Sequence, residues 1–481
     1  MDSNKEAVLL KIIALAATEH DLEKLSYAAA SVAHIAETAY TNNLVTQARG
    51  ALVIKLRELI DASNDLESIS YATSALSKLE GAVDDQADEV FTIGTPGQFG
   101  FGVSALRDHE IPDGWTAFPG HQDRFSPNYG NYLDPHGSHM VFIRKCWTRW
   151  NGNTPEFRNA PASGFTLDEA FRHTNLGFMR DKTHVSNVNG VACAKIGLAP
   201  LSTSGSNNGI SQLDGVSTNN YANMVTALKL RGSNAHAETV FEATLLAKIA
   251  LAHSLASTNT IVCAYKDVLP HMPKGNNNNA LRDVNDASVR FISAGISGAP
   301  LSALTGSATH IAKTAHNGQA CGVLDVNGNL WRVNLGLTKA GETDAIFRIF
   351  KTTTNPNDIT TANLHAAELY DEVDLSDLMP SSNQGWISLG NGVEQVYDPI
   401  NDVNDVAFRV AAAGIPLATG VSSAGTNQFG AGFFRFWRNN LMPLSGGNWN
   451  TSSNAGAFAR NLNTASSLSS ASVGGAACVS L

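Results

Sequence analysis

Few stretches of this sequence carry residues spaced for chemistry. His236-Ala237-Glu238 is the H-x-E half of a zinc-deaminase signature, in which the His binds metal and the Glu moves protons. No Pro-Cys-x-x-Cys partner follows it. The segment falls where a helix is expected to begin, and there Glu238 suits the positive end of the helix dipole. Asp134, His136 and His139 could clasp a metal, but their setting reads as a solvent-exposed turn. Asp325-x-Asn327-Gly328-Asn329 opens like an oxygen-ligand calcium loop and lacks the distal bidentate Glu. Asn-Gly is equally a hairpin signal, so no cofactor is assigned and calcium stays the alternative at this loop. Asp398, Asp402 and Asp405 read as a solvated acidic loop. The sequence has no phosphate loop, no Gly-x-Ser-x-Gly elbow and no His-Glu-x-x-His. No catalytic residue and no metal ligand is assigned on these grounds, and the chain is not expected to be an enzyme.

Binding remains. Phe433-Phe434-Arg435-Phe436-Trp437-Arg438 concentrates the aromatic and cationic types that dominate interface hot spots. As a strand, Arg435 and Trp437 would face one way, Phe436 and Arg438 the other. One pair would then be core and the other surface; both aromatics as core is the alternative. Gly446-Gly447-Asn448-Trp449 follows, then a series of small polar residues closing at Val473-Gly474-Gly475-Ala476-Ala477-Cys478. Such a composition usually marks disorder. Leu441, Leu444, Trp449, Phe458 and Leu462 recur through it as apolar anchors, so 433–481 reads as a folded surface made to touch something.

The elements that must position this surface can be read in outline. With 481 residues the chain is long enough for a large core. Charged residues make up 16%, below the roughly 25% of average soluble proteins. The net charge of −10 argues against nucleic acid, which needs clustered Lys and Arg. No apolar run is long enough to insert in a membrane. The cysteines, Cys146, Cys193, Cys263, Cys321 and Cys478, are odd in number and contain no C-x-x-C pair. They are expected to be small buried apolar residues in a protein that folds in a reducing cytoplasm.

Residues 1–88 read as a helical repeat. Asp21-Leu22-Glu23-Lys24-Leu25-Ser26-Tyr27-Ala28 returns as Asp65-Leu66-Glu67-Ser68-Ile69-Ser70-Tyr71-Ala72, and Leu10-Lys11-Ile12 returns as Ile54-Lys55-Leu56. Asp21 and Asp65 are placed as N-caps, and two units this short need a neighbour to cover their apolar stripes. An acidic linker, Asp84 to Glu89, ends the repeat. Residues 89–135 alternate Gly, Pro and aromatics as in short strands and turns. From 136 the chain alternates strands, helices and long polar loops: a strand over Met140–Trp147, helices over Tyr221–Arg231, Ala235–Ala256 and Thr361–Tyr370. Val240, Leu245, Ile249 and Ala252 would line one face of the second helix. The expected class is α+β.

Three segments carry a family resemblance. Asn128-Tyr129-Gly130-Asn131-Tyr132, His316 to Val323 with Asn327-Gly328-Asn329-Leu330-Trp331, and Gly446-Gly447-Asn448-Trp449 with Ser453-Asn454-Ala455-Gly456 resemble phage and prophage tail proteins. These end in a C-type-lectin-like domain of the kind shared with formylglycine-generating enzymes and with the variable proteins of diversity-generating retroelements. The resemblance spans about Phe91 to Leu481 and implies a loop-rich C-type-lectin-like domain over 136–481, with 433–481 facing a receptor. It implies a homotrimeric tail-fibre protein, made in the host cytoplasm and carried on the virion. Its N-terminal helices would join other tail or baseplate proteins, and its lectin-like domain would meet a host cell-surface receptor, protein or glycan.

In the retroelement members this segment is diversified through adenines of template codons. Asn448, Asn450, Thr451, Asn461, Asn463, Thr464, Ser466 and Ser467 stand where the family varies, between a scaffold of Gly446, Gly447, Trp449 and Phe458. With Arg435 and Trp437 they form the expected receptor-binding set. Two departures weigh on the fold. Gly475-Ala476 stands where the family has Phe-Arg after Val-Gly, which puts the last strand in doubt, and Arg332 replaces an acidic residue, which weakens a carried-over metal site. The enzyme branch would need a cysteine pair after Gly-Gly-x-Trp, and 450–460 contains none. A structural virion component without a receptor role is the other alternative.

Overall fold

The computed structural model describes residues 3–21, 24–26, 28–29, 31–32, 43–62, 89–152, 154–266, 289–293, 301–307, 314–376, 385–388, 406–415, 432–451 and 454–481. Its described helices include α1 (Ser3–Thr18), α2 (Asn43–Ala62), α3 (Tyr221–Lys229) and α4 (Val240–Ala256). Two six-stranded sheets use twelve strands: β1 (Thr116–Ala117), β2 (Asn131–Leu133), β3 (His139–Arg144), β4 (Gly177–Asp181), β5 (Ala235–Ala237), β6 (Trp331–Val333), β7 (Gly385–Ser388), β8 (Gly432–Arg435), β9 (Leu444–Gly446), β10 (Gly456–Asn461), β11 (Val473–Gly474) and β12 (Ala477–Ser480). The chain is α+β, with strands in the majority.

The first sheet runs β1-β2-β3-β4-β12-β5 and is antiparallel throughout. The second runs β7-β8-β10-β9-β6-β11, with β8 parallel to β10 and β6 parallel to β11. One continuous stretch, Val473 to Ser480, therefore leaves the edge of the second sheet and enters the interior of the first. This corrects the doubt over the last strand. The two glycines are what the crossing needs: a Cβ on Gly474 would lie 2.7 Å from the Leu201 carbonyl oxygen, and one on Gly475 2.7 Å from Met224 Cγ. An aromatic there would collide with α3.

Helix α4 sits behind the second sheet and is buried from Val240 through Ser254 on every side, not along one face as the spacing had predicted. A helix apolar all round belongs to a core. It also starts later than expected. Thr239 and Glu242 form a reciprocal capping box, with Glu242 N–H donating to Thr239 Oγ1 at 3.1 Å and Thr239 N–H to Glu242 Oε2 at 2.7 Å. The residues before the cap, Ala235–Ala237, become β5 and pair with Ala477–Val479. Other boundaries shift for similar reasons. The strand over Met140–Trp147 breaks at Lys145, whose N–H bonds Leu176 O instead, and Trp147 opens a separate strand, Trp147–Asn151. The helix expected over Thr361–Tyr370 is a series of turns, with a single 3-10 turn at Ala367–Leu369, followed by the strand Tyr370–Asp374.

At the N-terminal end, α1 and α2 pack together through Leu9, Ile12, Ile13, Ala16, Leu52, Val53 and Leu56. Asp21 caps the next helical turn, its carboxylate accepting from Lys24 N–H at 3.3 Å. The second copy, Asp65 to Ala72, and the acidic linker up to Asp88 lie outside the described residues. Helix α2 rests on the rest of the chain: Gln47 Nε2 donates to Gly97 O at 3.1 Å, and Gly50 lies against the rings of Phe99 and Phe125, with no room for a Cβ.

Candidate functional site

The ten residues expected to face a receptor divide by burial. Asn450 and Ser467 are exposed, and Trp437, Asn461 and Asn463 are half-buried. Arg435, Asn448, Thr451, Thr464 and Ser466 are buried, and their polar groups hold loops together. Thr451 Oγ1 accepts from Asn448 N–H at 2.9 Å, Thr464 donates to Met442 O, and Ser466 Oγ bonds His365 Nε2 at 2.7 Å. Gly446 and Gly447, at φ +95° and +97°, make the turn that sends Trp449 inward against Leu330 and Ala471. Small polar residues thus serve as loop ties as often as they serve as surface.

The aromatic run is arranged differently from the alternation predicted for it. Strand β8 ends at Arg435, and Phe433 and Arg435 point inward while Phe434 is half-buried on the other side. Trp386 of β7 pairs in register with Phe434, and Phe434 with Asn461 of β10, so the three side chains share one face. Trp386, 41% exposed, meets the Phe434 ring edge-on at 5.0 Å. Phe434 stacks on Phe436 at 6.3 Å, and the Arg438 guanidinium lies 4.6 Å above Phe436. Arg438 also bonds Asn463 and, at 3.2 Å, Glu342. The result is a row of three rings ending in a cation–π pair, flanked by the amides of Asn461 and Asn463, at the β7 end of the second sheet as described. Such a row offers flat apolar area and hydrogen-bonding groups.

Trp386 was missing from the sequence reading. Its signal was a short aromatic and β-branched run after a glycine, Gly385-Trp386-Ile387-Ser388, the same kind of clue that singled out 433–438.

The motifs weighed for catalysis resolve into structure. Glu238 is fully buried between two guanidiniums, 3.0 Å from Arg180 Nε and 2.9 Å from Arg332 Nε, and not in the first turn of a helix. Burial alone would raise its pKa, but the two arginines outweigh that and pull it down to about 2. Arg332, the departure from the family pattern, is thus one side of a structural ion triad joining β4 to β6. Asp134 opens a turn that is exposed at Pro135, His136 and Gly137, as expected, but its own side chain is not. It is buried against Arg231, which also pairs with Asp181 at 2.6 Å, while His139 bonds Asn131 at 2.8 Å. Asp325 accepts from Gly306 N–H at 3.1 Å, and burial pushes its pKa up to about 6. Asn329 instead ties its side chain to the Ala303 backbone, donating and accepting at 2.9 and 3.0 Å. Asp398, Asp402 and Asp405 lie outside the described residues. The five cysteines are buried, and none of them is in a disulfide.

No protein-family description matches the chain, and no curated protein matches it. Among solved structures it is similar to one titled Major Tropism Determinant U1 Variant, at 10% identity and a TM-score of 0.27, over 71% of this chain. The chain spans 63% of that structure's length. No helix among the described residues is long and apolar enough to cross a membrane.

Proposed function

We propose that the chain is a receptor-binding protein of a phage tail, recognising a host cell surface through the edge formed by β7, β8 and β10. The observation that carries this reading is the ring row Trp386-Phe434-Phe436, exposed at Trp386 and half-buried beyond it, with Arg438 above its end. Trp and Arg are the side chains most enriched at binding hot spots, and a sheet edge lined with them is unusual unless something covers it. The resemblance of Asn128 to Tyr132, His316 to Trp331 and Gly446 to Gly456 to lectin-like tail proteins supports the same reading. Asn450, Asn461, Asn463 and Ser467 would supply adaptable polar contacts beside the rings, and with Trp437 they are the members of the expected set that reach solvent. The protein works as a homotrimer on the virion, without catalysis, its N-terminal helices engaging the tail. Three copies on one fibre let individually weak contacts add to useful avidity.

The test is binding of purified protein to host cells. Trp386→Ala and Arg438→Ala should each weaken it about 30-fold, the usual effect of a hot spot worth about 2 kcal/mol, with folding unchanged by circular dichroism. Grafted residues at Asn450, Asn461 and Asn463 should shift host range. Unchanged binding in all of these variants, with normal incorporation into particles, would leave a structural virion component as the better description.

A further inference from the structure

Between the first sheet and α4, three buried side chains of different chemistry converge. His236 in β5 lies directly opposite Cys478 in β12, which places both side chains on one face of the first sheet. Glu242 reaches them from the first turn of α4, and one donor atom from each of the three lies within 4.8 Å of the others. All three residues are buried. We infer that Cys478, His236 and Glu242 form a binding site for a zinc-class divalent cation.

Four features of the arrangement support this. The first is the imidazole. His236 Nδ1 sits 2.8 Å from Asn357 Oδ1, an acceptor, which favours the tautomer with its proton on Nδ1. In that tautomer Nε2 is aimed at Glu242 Oε1, another acceptor, 2.9 Å away. Two acceptors so placed need a proton or a cation between them. A His whose far nitrogen is held by a hydrogen-bond acceptor is the usual arrangement for a metal ligand. The second feature is the carboxylate. Glu242 Oε2 is occupied by the Thr239 N–H, so its orientation is fixed by the helix cap while Oε1 is left for an ion.

Charge is the third. A thiolate, a carboxylate and a neutral imidazole cancel a divalent ion, and a neutral set is what a buried site tolerates. Cation binding would release the Cys478 thiol proton, and any proton shared between His236 and Glu242, to solvent. Donor type and spacing are the fourth. Tetrahedral donors at zinc distances lie roughly 3.3–3.8 Å apart, so the widest separation in the cluster must close by about one ångström. Mixed sulfur, nitrogen and oxygen donors favour zinc over magnesium or calcium.

The experiment is a Co²⁺ titration of the full chain after removal of metal with a chelator. The expected result is one equivalent bound, with tetrahedral ligand-field bands and a thiolate-to-cobalt charge-transfer band, both bleached by added Zn²⁺. Cys478→Ala should abolish the charge-transfer band, and Asn357→Ala should weaken binding about 10–100-fold through the His236 ring. If the wild-type protein gives no saturable band, the three side chains only hydrogen-bond one another and the site is refuted. A charge-transfer band of full strength in Cys478→Ala would refute it as well, since another thiol would be the ligand. Should the variants fail to fold, absence of a saturable band in the wild-type protein still refutes the site.

Discussion

Glu238 shows how much of this molecule's stability hangs on single buried groups. It neutralises Arg180 and Arg332 at once and accepts a third bond from Asn334 Nδ2 at 3.1 Å. Replacing it by Gln leaves two guanidiniums in the interior without their shared counter-charge, a loss of about 3–5 kcal/mol by comparison with broken buried pairs. The pH dependence has a definite sign. The folded pKa is depressed, from 4.5 to about 2, so the contribution is complete above the unfolded value and disappears as pH falls. Urea unfolding of wild type and Glu238→Gln should show a wide stability gap at neutral pH that narrows steadily between about pH 4.5 and 2. A gap independent of pH would mean the carboxylate is not ionised in the fold. The sequence put this Glu at the N-terminus of a helix because H-x-E followed by a long apolar run looks the same in either role. Only the pairing of Ala235–Ala237 with a strand more than two hundred residues away distinguishes them, and local pattern carries no information about such a partner.

At the level of elements, legibility followed locality. Helix α3 was readable because Asn220 caps it, accepting from Asn223 N–H at 2.7 Å, and its apolar stripe is its own. The start of α4 was misplaced, since alanines on both sides of the cap have no preference strong enough to mark the change from strand to helix. The last strand was doubted on the basis of two small residues, Gly475 and Ala476, whose purpose becomes visible only with α3 lying over them. This explanation makes a prediction. Gly475→Val should destabilise the protein by about 1–3 kcal/mol, as overpacked cores generally do, because its Cβ would press on Met224. Combining it with Met224→Ala should cost less than the sum of the two changes, measured by denaturant unfolding of the four proteins in the cycle. Strict additivity would show that the glycine is there for another reason. In the candidate site, the expected facing of 433–438 does not hold. Strand alternation was extended past Arg435, where the strand ends.

For the whole molecule, the N-terminal helices pose the main question. They seat on the rest of the chain through Gly50, Gln47 and the rings of Phe99 and Phe125, yet Val8 and Leu10 on α1 remain more than 40% exposed. If α1 and its neighbours assemble the fibre, removing residues 1–88 should convert the oligomer to single chains and abolish incorporation into particles. Light scattering after size exclusion would measure the mass. Retention of the same oligomer would place the assembly contacts within residues 89–481. The seam uncovered by the deletion, Phe99, Phe125 and Ile261, makes reduced solubility a companion outcome.

The crossing of Val473–Ser480 between the sheets also orders events in time. Strand β12 lies between β4 and β5 in the first sheet, and β11 closes the edge of the second beside β6. During synthesis, which proceeds at about 5–20 residues per second, every other strand of both sheets is outside the ribosome before these two. Until they arrive, β4 and β5 each present an unpaired edge, with the rows of free N–H and C=O groups that favour aggregation. A chain interrupted anywhere before Ala477 would keep those edges open permanently. Chains that break off before Ala477 therefore carry additional exposed strand edges for proteases and chaperones to find, which chains containing Val473–Ser480 do not.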